Sequence, residues 1–78
     1  MAPTSKTKRS LIEVARQLFA KKGVENTTMN DIAEASKRGR RTLYTYFSSK
    51  NEIYKAVVES EFQELYKKLD EVIKQKLP

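Results

Sequence analysis

The sequence predicts an all-α protein, three short helices that build a helix-turn-helix head followed by one long fourth helix. Three observations lead there. Apolar residues recur every three or four positions from Leu11 to Phe19 and again from Ile53 to Ile73, the spacing of one helix face. Two patterns that open helices, Thr28 with Asp31 and Ser49 with Glu52, mark starts in between. The two glycines, Gly23 and Gly39, fall where the periodic segments break.

In chain order, residues 1 to 5 read as a loose start in which Thr4 or Ser5 could cap the first helix. That helix is expected over Lys8 to Lys22, with Leu11, Ile12, Val14, Ala15, Leu18 and Phe19 on its apolar side. Lys21 and Lys22 suit the negative end of the helix dipole, and Gly23 supplies the left-handed residue that ends it. Val24 to Thr27 make a short connection. The second helix is expected from Met29 to Ala35, capped by Thr28, with Met29, Ile32 and Ala33 inward. A tight turn within Ser36 to Gly39 precedes a third helix from Arg40 to Phe47, whose Leu43 and Phe47 share a core-facing side. Arg41, Thr42 and Thr45 then fall on the opposite side, between Tyr44 and Tyr46. A fourth helix opens at Ser49 and runs to about Lys76. Ile53, Tyr54 and Val57 reach the head, whereas the stripe from Val58 to Ile73 extends beyond it and needs another cover, a second chain or a further domain. The division expected is residues 1–50 as head and 51–78 as the connecting helix.

Composition narrows the chemistry. The chain has neither cysteine nor histidine, so thiolate metal sites, a cysteine nucleophile, the commonest general base and the commonest metal ligand are all excluded. No enzyme and no cofactor are expected. The net charge is +6, with a pI near 9.7. That charge is local. Ser36 to Lys50 holds five of the sixteen basic residues and no acid, while residues 51 to 78 carry five basic against six acidic groups. No apolar run approaches the ~20 residues of a membrane span, and the chain is expected in the cytoplasm.

Within Ser36 to Lys50 the residue types match one kind of partner. Lys37, Arg38, Arg40 and Arg41 crowd the start of a helix, where the dipole disfavours cations by roughly 0.3–1 kcal/mol each. An anionic partner offsets that cost. Three of the seven aromatics lie in the same stretch, so the outer face is cationic, hydroxylated and aromatic, which suits gripping phosphates and reading base edges. Lys6, Lys8 and Arg9 could reach phosphates beside it. The competing reading of the chain is a helical protein-interaction module that uses the stripe from Phe62 to Ile73. A basic amphipathic helix on a membrane fits less well, because the basic stretch lacks a wide apolar face.

The residues TTMNDIAEASKRGRRTLYTYFSSKNEIY, Thr27 to Tyr54, resemble the signature of the tetracycline-repressor (TetR) family of bacterial transcription regulators. The ordered set Thr27-Thr28, Ile32-Ala33, Thr42-Leu43-Tyr44, Tyr46-Phe47 and Ser49-Lys50 carries the resemblance, which extends from about residue 8 to 58. It implies a homeodomain-like three-helix DNA-binding head and a fourth helix leading to a larger ligand-binding domain absent from this chain. It also implies homodimers on palindromic double-stranded operators and, in most members, repression released by a small-molecule effector. Carried over by position, Arg40, Arg41, Tyr44 and Thr45 match residues that meet bases or adjoining backbone, and Thr28, Thr42, Tyr46 and Lys50 match residues that hold phosphates. The chain departs from the family in its turn. Ser36-Lys37-Arg38-Gly39 stands where the family usually has Ala-Gly-Val-Ser, so the glycine has moved and a buried valine has become arginine. Arg38 is expected to lay its stem over the core and turn its guanidinium outward.

Overall fold

A computed structural model describes residues 6–76, and four helices account for most of them: α1 Lys6–Lys22, α2 Met29–Ser36, α3 Gly39–Tyr46 and α4 Lys50–Lys76. The cap expected from Thr4 or Ser5 lies outside the described residues. Helix α1 begins two residues earlier than the periodicity indicates, so Lys6, Lys8 and Arg9 are helical and its first turn contains no acid. Leu11, Ala15 and Phe19, each one turn from the next, are its buried residues. Gly23 adopts φ +87° and donates its N–H to the Phe19 carbonyl at 2.9 Å, which ends the helix.

The connection after α1 is more constrained than its sequence suggests. Thr27 is fully buried, and its hydroxyl donates to the Gly23 carbonyl at 2.8 Å. The Asn26 side-chain amide donates to the Lys22 carbonyl at 2.9 Å. Loose carbonyls at the end of α1 are thereby satisfied by the loop itself. Helix α2 then opens with the expected capping box. The Thr28 hydroxyl accepts from the Asp31 N–H, and the Asp31 carboxylate accepts from the Thr28 N–H, both at 3.0 Å.

The turn between α2 and α3 contains two left-handed residues, Lys37 at φ +61° and Gly39 at φ +86°. Gly39 behaves as the sequence suggests. Lys37 is the unexpected one, a β-carbon-bearing residue in the position that ends α2, where its N–H donates to the Glu34 carbonyl at 3.2 Å. The left-handed requirement has therefore stayed at position 37 although the glycine stands at 39. Ser36 shapes the remainder, donating its hydroxyl to the Ala33 carbonyl at 2.9 Å and accepting from the Arg38 N–H at 3.3 Å. Replacing Lys37 by glycine removes the steric cost of the left-handed conformation, and we expect Lys37→Gly to raise stability by about 1 kcal/mol. Urea unfolding at high salt, where the lost charge matters least, measures it.

Helix α3 starts at Gly39 and ends at Tyr46, so the expected span Arg40 to Phe47 is displaced by one residue at each end. Phe47 is the residue after the helix, extended at φ −136° and ψ 125°, yet 4% exposed. Its N–H still reaches the Leu43 carbonyl at 3.0 Å, so both aligned side chains remain in the core. At the start of α4 the expected reciprocal box is also displaced. Ser49 Oγ accepts from the Glu52 N–H at 3.4 Å, but the Glu52 carboxylate accepts from Ser48 rather than from Ser49.

The core gathers Leu11, Ala15 and Phe19 from α1, Ile32 and Ala33 from α2, Leu43 and Phe47 from α3 and its end, and Ile53 and Val57 from α4. Helix α1 packs on both α2 and α4, and α2 packs on α3. Small Ala15 and Ala33 let the helices approach. Tyr54 remains 44% exposed while the edge of its ring meets Phe19, with centroids 6.0 Å apart. Every residue from 61 to 76 is exposed, and α4 projects beyond the head.

Candidate nucleic-acid interface

The third helix presents its cations without partners of its own. Its first turn has no acid, Arg38 at its start makes no side-chain cap, and Arg38, Arg40 and Arg41 are all exposed. Among the described residues none of Lys37, Arg38, Arg40 and Arg41 makes an ion pair, although acids elsewhere on the chain do pair with bases. Arg38 is outward as expected. Four unneutralised cations within five residues, at the positive end of a helix, create a concentrated positive potential.

The exposed side of α3 consists of Arg40, Arg41, Tyr44 and Thr45. Thr45 donates its hydroxyl to the Arg41 carbonyl at 2.9 Å, so its proton is committed and its oxygen is left to accept. Thr42 is a correction to the helical-wheel expectation. It is half-buried, one turn before the half-buried Tyr46, so the two form a partly covered flank of α3 and not its outer face. Tyr46 packs against the core cluster, and α3 packs on α2.

Two further predicted residues sit on helix starts, Thr28 before α2 and Lys50 at the start of α4. Thr28 is exposed, and its oxygen already accepts from Asp31, leaving the hydroxyl proton to donate. The backbone N–H of Thr28, followed by the Lys22 ammonium at 3.0 Å, holds the Asp31 carboxyl below its ordinary range. The group therefore supports the fold above its unfolded-state value, and that support is lost as pH falls through the lowered folded-state value. Lys50, in the first turn of α4, is half-buried and donates to the Val24 carbonyl at 2.7 Å, a contact between residues 26 apart in sequence. An ammonium has three protons, so this bond positions the group and leaves two donors. Thr28 and Lys50 thus border the same α1–α2 connection.

Sequence reasoning missed two supports. The Val24 carbonyl that seats Lys50 is a backbone group with no signature of its own. Buried Thr27, which ties the connection to Gly23, could have been suspected from its place in the Thr27-Thr28 pair. Lys8, expected only in the neighbourhood of the main basic stretch, has a defined place. Its ammonium stands 5.9 Å from the centre of the Phe47 ring, which sets the basic start of α1 against the end of α3. Among the described residues no cluster of acids could hold a metal, and no helix is long and apolar enough to cross a membrane.

Comparison with known proteins gives the family. The family model described as bacterial regulatory proteins, tetR family, matches residues 11–57. The HTH-type transcriptional regulator YfiR of Bacillus subtilis, itself uncharacterised, is 38% identical over 65 residues, 83% of this chain and 32% of its own length. A probable acrEF/envCD operon repressor of Escherichia coli is 42% identical over 53 residues, 68% of this chain and 24% of that protein. The HTH-type transcriptional regulator TtgR of Pseudomonas putida is 39% identical over 54 residues, 69% of this chain and 26% of its own. The chain spans about a third or less of the length of these relatives. The matched segment begins at Leu11 and ends at Val57, the first and last residues of the buried core, and the chain belongs to the tetR family of bacterial regulatory proteins.

Proposed function

We propose that this chain is the reading head of a transcription regulator, probing double-stranded DNA with α3 in the major groove. The observation that carries the reading is the row of four unpaired cations, Lys37 and Arg38 in the turn before α3 and Arg40 and Arg41 in its first turn, on a helix whose outer side also offers Tyr44 and Thr45. Arg40 or Arg41 pairs two N–H donors with a guanine edge, worth about 1–3 kcal/mol of discrimination. Tyr44 and Thr45 contact neighbouring bases or backbone. Thr28 and Lys50 hold phosphates on one side, and Thr42 and Tyr46 border the groove on the other, fixing the register without reading sequence. Residues 1–50 act as the head and 51–78 as the connecting helix, which Ile53 and Val57 anchor in the head's core.

Two heads on a palindromic operator, held as a homodimer in the cytoplasm, would place their recognition helices about one DNA turn apart, ~34–36 Å, or a multiple of it. Release by a small-molecule effector acts in this scheme by swinging α4, since a tilt of a rigid helix alters the spacing of the heads it carries. Such a regulator represses by occupying its operator.

The test is selection from a pool of random duplexes at several salt concentrations, with sequencing of the retained fraction. The expected result is a steep fall in affinity with salt together with an enriched half-site. Retention without any enriched sequence would reduce α3 to a generic basic surface.

A further inference from the structure

We infer that Lys22 is a positioning residue for DNA binding, acting through Asp31 by neutralising a carboxylate that the fold sets beside the phosphate-holding start of α2. The inference rests on the reading of Thr28 as a phosphate contact and names a residue on which that contact depends.

The start of α2 contains a conflict. Its capping box needs the Asp31 carboxylate, which accepts from the Thr28 N–H at 3.0 Å, while the Thr28 hydroxyl oxygen accepts from the Asp31 N–H at the same distance. The proton of that hydroxyl is the one left for a phosphate. A phosphate oxygen accepting it at ~2.7 Å stands about 7 Å from the carboxylate. That is inside the screening length of ~8 Å at physiological salt, so the two anions repel. Folding thus asks for a carboxylate where DNA binding tolerates an anion least.

Lys22 resolves the conflict. Its ammonium donates to Asp31 Oδ2 at 3.0 Å, joining the last turn of α1 to the first turn of α2. The Arg16–Glu13 and Lys74–Asp70 pairs, by contrast, each lie within one helix. The Lys22 carbonyl accepts from the Asn26 side-chain amide at 2.9 Å, which fixes the turn from which the lysine stem departs. Lys21, its neighbour in that turn, is exposed and makes no ion pair among the described residues. Position 22, and not the general basicity of the end of α1, therefore meets Asp31. Glu25 in the connection is exposed and bonded to neither Thr28 nor Lys22, so it can turn away from a phosphate. Asp31 cannot, because the box holds it. With Lys22 in place, an incoming phosphate meets a neutral pair instead of a lone anion.

Three variants of the whole chain test this: Lys22→Met, Asp31→Asn and the two combined. Asparagine keeps an oxygen to accept from the Thr28 N–H, and methionine keeps most of the lysine stem; thermal unfolding checks that the head stays folded. Affinity is read by fluorescence anisotropy on the duplex enriched in the selection, at several salt concentrations. Repulsion at about 7 Å, across an effective dielectric of ~40–80, corresponds to a three- to sevenfold loss of affinity, the expected effect of Lys22→Met. Adding Asp31→Asn should restore affinity to within about twofold of the unsubstituted chain, with the same salt slope. If Lys22 itself held a phosphate, the double variant would stay weak and its slope would fall by about one. If the pair only braced the fold, the double variant would melt lower and its affinity would not return. Either result, or unchanged affinity in Lys22→Met, would overturn the inference. The DNA reading is judged separately. Binding that depends on Arg40 and Arg41 but not on Lys22 would sink this inference alone, whereas no binding by the unsubstituted chain would sink both.

Discussion

Replacing Arg40 and Arg41 together by alanine should lower affinity for the selected duplex by two orders of magnitude or more, with the helical content and the unfolding temperature unchanged. The size comes from the roles assigned. One bidentate arginine on a guanine is worth about 1–3 kcal/mol, and each cation withdrawn from the phosphate field reduces the logarithmic salt slope by up to about one. The two mutations should therefore leave different traces. The arginine that reads a base loses discrimination at one position of the half-site, whereas the one that meets only backbone weakens all duplexes equally. Both side chains are exposed and unpaired, so the fold has little to lose with them. The helix dipole disfavours cations at the start of α3, so their removal should not lower the stability of the free protein. Fluorescence anisotropy at three or more salt concentrations separates these effects, and unchanged affinity in the double variant would show that the contact surface lies elsewhere.

The second large effect is on stability. Leu43 is fully buried at the point where α3 meets the core, and Leu43→Ala should cost about 2–5 kcal/mol through lost transfer energy plus the cavity left behind. A domain with nine buried apolar residues among those described has little reserve. At roughly 4–8 °C per kcal/mol for a chain of this size, the melting temperature should fall by at least about 8 °C. Phe62→Ala removes a larger side chain that is 66% exposed and should change the melting temperature of the dilute monomer very little. Thermal unfolding by circular dichroism at low protein concentration compares the two. A small effect of Leu43→Ala would mean that α3 is not held against the core as described, and with it the placement of Arg40 and Arg41 would fail.

Much of this architecture was legible because its signals are local. The apolar spacing in α1, the Thr28–Asp31 box and the glycine after Lys22 depend on residues within one or two helical turns, and each defined an element to within a residue or two. The stripe on α4 was legible for the same reason, and its exposure follows from a helix longer than the head it packs on. The identity of the cationic face could also be read, since unpaired basic residues at a helix start violate a local rule.

What the sequence could not supply was decided by contacts between distant segments. Helical periodicity gave Thr42 an outward position, but packing in the folded domain leaves both Thr42 and Tyr46 half-buried. Lys37 is held left-handed because the chain must reverse between two packed helices within a few residues, whichever residue occupies the position. The seat of Lys50 on the Val24 carbonyl and that of Lys8 on the Phe47 ring join segments 26 and 39 residues apart. The sequence by itself thus determined the elements, their capped ends and the residue types on the basic stretch, because backbone hydrogen bonding and side-chain spacing act over one turn. Only the tertiary structure decided which of those side chains face outward and how the helix starts sit beside one another, because core packing sets how each helix is rotated and tilted.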